Sequence, residues 1–401
     1  MARTPGYVCV FNRNRDGYQV PLALEEAGVL TALVTDFYAP DGKFGDRLPG
    51  PMRRRRVEGL PHRKTRSVYR TFVDQALARV FKWPLGPVFR RTDAWLSQAA
   101  TRIVRRTGSA YYFYHNHVPA HVPAGPLLVV FVFHPLADAD IAMLEADAAR
   151  YPEAAESLER ERDAWAAEQR QAIDWNRVDA VVVASSFTRR SVVAAGCDPA
   201  KISVIPYGLP VDDLEVVVPR PGARERAEFI YVGQGIQRKG VHHLIRAWQL
   251  DPPPNARLTL VSYAMDEAIG ALVTHPSIRV LGYQTRSELK QRFRESDVYA
   301  MPSLVEGFGF TYCEALAFGC HVLGSPNSGM PDLANLTEHE LTLVPVGDLA
   351  AINAGLRRCA ERTLAGGFDR AAIQDAARRW TKADFRAAIG AHARDVLARL
   401  G

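Results

Sequence analysis

The stretch Glu306-Gly-Phe-Gly-Phe-Thr-Tyr-Cys-Glu314 sets two carboxylates eight residues apart, with Gly307 and Gly309 between them. Val298 to Met301 reads as the end of a buried strand, Pro302-Ser303 breaks it, and Thr311 to Phe318 reads as a helix with Glu314 in its early turns. A helix N-terminus offers unpaired backbone N–H groups and attracts anions, and glycine lets a phosphate come close. Two acids touching that phosphate would repel it. They suit neutral, hydroxyl-rich groups on either side: a ribose at Glu314 and a sugar at Glu306. The backbone amides of Phe308, Gly309 and Phe310 then face the diphosphate between them. That is the anatomy of a nucleotide-sugar. For either glutamate the plain alternative is a surface or helix-cap acid, and for Glu314 a helix-dipole partner.

Departure of a nucleoside diphosphate builds negative charge that preorganised donors or cations must neutralise. The loop Gly233-Gln-Gly-Ile-Gln-Arg-Lys-Gly240 follows a strand and precedes a helix. It presents Arg238 and Lys239, with Gly233, Gln234 and Gly235 at its start. Alone, it reads as two exposed cations; with the paired glutamates downstream it reads as a phosphate loop. His134 ends the apolar run Leu127–Phe133, and the carboxyl end of a parallel strand points at a cleft. A satisfied core or capping histidine is the alternative. Tyr111-Tyr-Phe-Tyr-His-Asn-His117 puts His115 and His117 at another strand end, where lining an acceptor cleft is the reading preferred over ligation. Asn12-Arg-Asn-Arg-Asp-Gly-Tyr18 offers Arg13, Arg15 and Gly17 to an anionic acceptor or to phosphates. Asp138-Ala-Asp140 has the spacing of a metal-binding carboxylate pair. It stands just before a helix read from Ile141, so Asp140 is expected as an N-cap. No metal and no cofactor are expected.

Four segments in order carry a resemblance. They are the glutamate stretch with its flanks, Phe229 to Trp248, Val181-Val-Val-Ala-Ser-Ser-Phe-Thr188, and Lys201-Ile-Ser-Val-Ile-Pro-Tyr-Gly208. Together they resemble the retaining GT-B glycosyltransferases of group 1, family 4, over about residues 125–385 and most strongly from 180 to 335. The resemblance implies an α/β chain of GT-B architecture: two doubly wound Rossmann-like domains facing across a cleft, with a C-terminal helix crossing back to the first. Residues 1–214 would bind acceptor, with 380–401 packed on them, and 215–379 would bind the donor. His134, Glu306, Lys239 and Arg238 take the catalytic roles, with Lys239 on the diphosphate and His134 against the donor sugar. Gly233, Gln234, Gly235, Phe308, Gly309, Phe310 and Glu314 hold the donor, and Tyr283, in Leu281-Gly-Tyr283, lies near its base. The chain departs from the family at three places. Gln234 stands where an arginine is usual, Pro135 follows the histidine, and the first-strand loop lacks a Gly-Gly pair. The implied activity moves a hexose or related sugar from a UDP- or GDP-linked donor to a saccharide or lipid-linked acceptor, in cell-surface polysaccharide or glycolipid synthesis. A non-catalytic nucleotide-sugar-binding protein and a phosphorylase- or epimerase-like enzyme are the alternatives on the same fold.

The rest of the chain must position these groups. Strand and helix patterns alternate throughout: Tyr7–Phe11, Gln19–Ala27, Ala32–Val34, Ala110–Tyr114 and Leu127–Phe133 in the first half, with a long charged helix from Ile141 to about Asn176. Such alternation implies parallel sheets covered on both faces. The Pro/Gly-rich Val216 to Arg224 reads as the linker between two halves. The 401 residues are enough for two cores, and 47% hydrophobic residues is ordinary for a globular protein. Five scattered cysteines without Cys-x-x-Cys spacing point to a reducing cytoplasm and away from a zinc or disulfide frame. Met1–Pro5 leads straight into the first strand without a secretory leader, and no apolar run approaches a membrane span. The net charge of +6 is uneven: residues 53–91 hold twelve Lys and Arg against Glu58 and Asp74. Within them Val68 to Phe81 reads as an amphipathic helix with a basic face. Attraction to an anionic membrane surface or a phosphate-linked acceptor and a plain solvated helix are equal readings. No nucleic-acid module accompanies the charge. The expected location is cytoplasmic, peripheral on the inner face of the cell membrane.

Overall fold

The computed structural model describes residues 6–14, 16–119, 122–168, 173–209, 224–333 and 336–400. Two all-parallel sheets carry the chain. The first holds β1 (Tyr7–Val10), β2 (Leu30–Thr35), β3 (Thr65–Ser67), β4 (Ala110–Tyr114), β5 (Leu128–Val132), β6 (Ala180–Val183) and β7 (Ile202–Val204), in the order β3-β2-β1-β4-β5-β6-β7. The second holds β8 (Ala227–Val232), β9 (Ala256–Val261), β10 (Ile278–Leu281), β11 (Val298–Met301), β12 (His321–Gly324) and β13 (Leu341–Leu343), in the order β10-β9-β8-β11-β12-β13. β1, β4, β5, β6, β11 and β12 are buried along their whole length, which is why they read as unbroken apolar runs rather than alternating ones.

The strand order reverses between β1 and β4 in one sheet and between β8 and β11 in the other. A ligand crevice opens outside the carboxyl ends at such a reversal. The segments following those four strands contain Arg13, His115, Lys239 and Glu306, so topology alone gathers most of the candidates at two facing edges.

Helix Lys382–Leu400 returns to the first sheet. It buries Phe385, Ile389, Ala393 and Val396, and lies along helix Gln19–Glu26. The Tyr7 hydroxyl donates to the Ala393 carbonyl at 3.0 Å, and Arg386 pairs with Glu26 at 2.9 Å. The Leu209 N–H donates to the Trp380 carbonyl at 2.9 Å, and the Trp380 indole donates to the Pro206 carbonyl at 3.0 Å. The linker read at Val216 lies, save Arg224, outside the described residues.

Two expectations change. The long helix from Ile141 is two helices, Ala137–Ala148 and Ala155–Glu168, because Pro152 starts a short 3₁₀ turn between them. The first of these begins three residues before Asp140, after Leu136, without a side-chain cap. Asp140 is therefore not an N-cap: it is buried in the first turn and faces His134. The basic region forms helix Tyr69–Val80, as its periodicity suggests, and also contributes the edge strand β3, for which no periodic signal exists in three residues. Among the described residues no helix is long and apolar enough to cross a membrane. All five cysteines are free and buried.

Candidate active site at the domain seam

β11 delivers the chain to Pro302, and a web of backbone bonds then fixes the loop that carries Glu306. The N–H groups of Leu304 and Val305 both donate to the Arg238 carbonyl at 3.0 Å, and that of Glu306 donates to the Asn327 carbonyl at 3.1 Å. From the other domain, the Ser185 hydroxyl donates to the Gly307 carbonyl at 2.7 Å. A methyl group on Gly307 would lie 2.4 Å from the Phe133 carbonyl oxygen and 3.0 Å from His134 Cα. Glycine at 307 is thus what lets the loop press against the end of β5. Gly309, at φ 96°, ends the loop in the left-handed region and leads into helix Phe310–Ala317.

Glu306 and Lys239 meet directly, and both are largely buried. Burial pushes the Glu306 carboxyl up, but Lys239 and then Arg238 outweigh it and hold the carboxyl below its ordinary value. Burial likewise lowers Lys239, and Glu306 only partly offsets it. The cation expected on a diphosphate and the acid expected on a sugar therefore neutralise each other. A diphosphate entering here has to draw Lys239 away from Glu306. Arg238 is held by Glu161 of helix Ala155–Glu168 at 3.3 Å and by the Gln234 side-chain oxygen at 3.4 Å. Gln234 thus steers a cation instead of supplying one. A cavity of about 290 Å³, lined by Gln234, Arg238, Glu161 and Asp266 among others, adjoins this loop but not Glu306 or Glu314.

His134 follows β5 by two residues. Its Nδ1 lies 3.1 Å from the Pro135 carbonyl and 3.4 Å from Asp140. A carbonyl can only accept, so Nδ1 carries the proton and Nε2 is left as an acceptor. Burial, reinforced by Arg238, lowers its pKa to about 4. Burial raises Asp140 to about 8, with Arg238 opposing. At neutral pH both partners are uncharged. Glu314 lies on the open side of helix Phe310–Ala317, exposed, and Arg286 is the cation acting on it. Phe310 and Tyr283 are exposed as well, whereas Phe308 is buried and supports the loop from below. Gly235 backs onto Met265, where a methyl group would come within 2.5 Å of its side chain, and Gly233 faces the Tyr231 ring.

In the first domain, Arg13 is tied down. Its N–H donates to Asp36 at 3.1 Å, its guanidinium donates to Gln75 at 3.0 and 3.2 Å, and it lies over the Phe89 ring. His117 is a pin rather than a ligand. Nδ1 donates to Asp93 at 2.7 Å while Nε2 accepts the Asn12 N–H at 3.2 Å. His115 stacks obliquely on Phe133, with centroids 4.6 Å apart. Gly17 takes φ 67° at the turn before helix Gln19–Glu26. Arg15 lies outside the described residues.

A profile described as "Glycosyl transferases group 1" matches residues 219–380, and one described as "Glycosyltransferase Family 4" matches residues 50–213. The chain belongs to the group 1 glycosyltransferases. Among the relatives of this group 1 chain, the amylovoran biosynthesis glycosyltransferase AmsK of Erwinia amylovora is 25% identical over 192 residues, 44% of this chain and 46% of that one. The D-inositol 3-phosphate glycosyltransferase of Mycobacteroides abscessus is 30% identical over 199 residues, 45% of this chain and 43% of the other. The chain thus spans about half the length of the curated relatives it matches. Solved structures cover it end to end. A glycosyltransferase from Rickettsia africae has a TM-score of 0.57 at 13% identity, over 99% of this chain and all of that one. Anabaena Alr3699/HepE in complex with UDP-glucose has a TM-score of 0.56 at 16% identity, over 98% of this chain and all of that one. At these identities the likeness is one of fold, and it is the GT-B fold.

Several residues that shape the site of this group 1 glycosyltransferase were not singled out from sequence. Asp16 is buried, and the Tyr114 hydroxyl donates to it. Tyr207 packs on Phe308, Phe310 and Phe385 at 5.5, 4.9 and 5.0 Å and so joins both domains and the returning helix. Both stood inside quoted segments; an acid in an apolar run was the available signal for neither. Ser185 is different: its place after β6, at a carboxyl strand end, was a usable signal.

Proposed function

We propose that this chain is a retaining glycosyltransferase that moves a hexose or related sugar from a nucleoside diphosphate to a saccharide or lipid-linked acceptor. The transfer step uses neither metal nor cofactor. One observation carries this: Gly307 brings Glu306, paired with Lys239, against His134 at the seam, one turn from the start of helix Phe310–Ala317. In this reading Lys239 and the helix N-terminus receive the diphosphate. Glu306, released from Lys239, and the bare Nε2 of His134 accept hydrogen bonds from the sugar hydroxyls. Glu314 accepts from the ribose diol, and Tyr283 covers the base. A structural neighbour that binds UDP-glucose supports the donor class. The acceptor attacks the face that the diphosphate vacates, and the diphosphate takes its proton.

The acceptor half of the reading rests on the first domain. Tyr69, Val73, Leu77 and Val80 form one exposed stripe on helix Tyr69–Val80, continued by Phe81 and Trp83, and Arg66, Arg70, Arg79 and Lys82 flank it. Gln75 of the same helix holds Arg13 at the cleft. A basic, apolar stripe next to an acceptor cleft suits docking on an anionic membrane, with a lipid-linked or polysaccharide acceptor presented from it.

The deciding experiment is a thermal-shift titration with UDP, GDP, ADP and their sugars, with no metal added, on wild type and Glu314→Ala. A ligand that binds only the folded state raises the midpoint. A shift with one nucleotide, lost in the variant, supports the reading and names the base. No shift with any of them, magnesium included, removes it.

A further inference from the structure

We infer that Asp147, His242 and His243 form a binding site for one divalent transition-metal ion that fastens the first domain to the second. Asp147 comes from helix Ala137–Ala148, and the two histidines from the first turn of helix Val241–Leu250 in the other domain. One donor atom from each lies within 4.8 Å of the other two. Both imidazoles are wholly buried, and Asp147 nearly so.

The contacts among these groups leave coordination capacity unused. His242 Nε2 is 3.0 Å from one Asp147 oxygen and His243 Nε2 is 2.7 Å from the other. The first is a hydrogen bond. The second lacks hydrogen-bond alignment, and neither nitrogen of His243 has a hydrogen-bond partner in the structure, nor has Nδ1 of His242. Two atoms so close whose lone pairs do not point at each other can point at a common third atom. In a tetrahedral site with bonds of about 2.0–2.1 Å, neighbouring donors stand roughly 3.3 Å apart. The two imidazole–carboxylate spacings lie just under that value, and the three donor atoms together lie within 4.8 Å of one another.

The charge balance agrees. Gln237 donates to Asp147 at 2.8 Å but is neutral. The guanidinium nearest along the same helix, Arg246, is spent on Glu153 at 2.6 and 3.0 Å. Two imidazoles and one carboxylate suit zinc, cobalt, iron or nickel. None of the three residues belongs to the transfer machinery, and the inference does not depend on the donor reading. An ion here would set the position of the helix that follows the Lys239 loop, and with it the angle between the domains.

The test uses the full chain, stripped with a chelator and titrated with cobalt(II) alone. One ion per chain is expected, with the visible ligand-field bands of a low-coordinate nitrogen and oxygen site, displaced by zinc. Asp147→Asn and His243→Ala should each weaken binding by at least ~100-fold, the upper end of what losing an outer-shell partner costs. X-ray absorption on zinc-loaded wild type reads the ligands whether or not the variants fold. Two imidazoles and a carboxylate are expected; a sulfur shell or a single imidazole overturns the site. So does wild type that retains no cobalt, as a simple Asp–His ion pair would, or unchanged affinity in both variants.

Discussion

Gly307→Ala should slow transfer about 100-fold while leaving nucleotide binding intact. The added methyl would lie 2.4 Å from the Phe133 carbonyl oxygen, where an ordinary contact begins at 3.4 Å, so the seam must open by about 1 Å. Gly307 is not in the left-handed region, so alanine brings no backbone strain of its own. A displacement of that size between reacting groups costs on the order of 10²-fold in rate. The Ser185 bond to the Gly307 carbonyl would stretch with it, removing about 1 kcal/mol of stability. Lys239, Glu314 and the Phe310 helix all belong to the second domain and move as one, so nucleotide should still raise the thermal midpoint as in wild type. The assay is release of nucleoside diphosphate from whichever donor gives the largest thermal shift. A rate within about threefold of wild type would refute the reasoning, because the seam would then tolerate the very displacement said to cost 10²-fold. Loss of nucleotide binding would refute it differently, by showing that the nucleotide pocket itself includes the first domain.

Lys239→Met strands the Glu306 carboxylate in a buried site and should cost about 3–5 kcal/mol in urea unfolding, most of it recovered when Glu306→Gln is added. No recovery in the double variant would mean that the pair does not behave as one unit. The His134–Asp140 pair predicts a particular pH profile. Between about 4 and 6.5 the unfolded chain binds a proton at His134 that the folded chain does not, so this residue makes stability rise with pH. Between 3.8 and about 8 the folded chain keeps a proton on Asp140 that the unfolded chain loses, so this one makes stability fall. The two nearly cancel below 6.5, and the fall alone remains up to about 8. The stability of wild type minus that of Asp140→Asn should therefore fall steadily as pH rises from 4 to 8; a rise over that range contradicts the assignment. Replacing both Phe81 and Trp83 by serine should weaken co-sedimentation with anionic vesicles by at least about tenfold, because each buried aromatic contributes ~1.5–3 kcal/mol. The nucleotide thermal shift should stay as in wild type, and unchanged sedimentation would mean that the stripe does not meet lipid.

Much of the fold and of the Glu306 loop is legible in the sequence. Unbroken apolar runs such as Leu128–Val132, short and rich in valine, read as strands covered on both faces, and Gly307 and Gly309 mark a loop needing close approach. What stayed hidden was pairing. Lys239 and Glu306 are 67 residues apart, and nothing local says that they neutralise each other. Asp140 reads as a cap because it stands just before the helix start read at Ile141. The helix starts sooner, and desolvation beside His134 decides what its carboxyl does. His117 reads as a cleft-lining residue at a strand end, but Asp93 and Asn12, both remote in sequence, occupy its two nitrogens.

The returning helix Lys382–Leu400 also governs how the polypeptide can mature. Tyr7 and Ala393, joined by a hydrogen bond, are 386 residues apart, so at ~5–20 residues per second a ribosome needs roughly 20–80 s to make the second after the first. For that interval the groove along Gln19–Glu26 has no lining, and the first Rossmann unit waits half-finished while the second can already close on itself. Severing the chain between the sheets would therefore leave each fragment with an unpartnered apolar face, the groove along Gln19–Glu26 on one and Phe385, Ile389, Ala393 and Val396 on the other. Transplanting Lys382–Leu400 to precede β1 through a short linker should make the first unit self-sufficient.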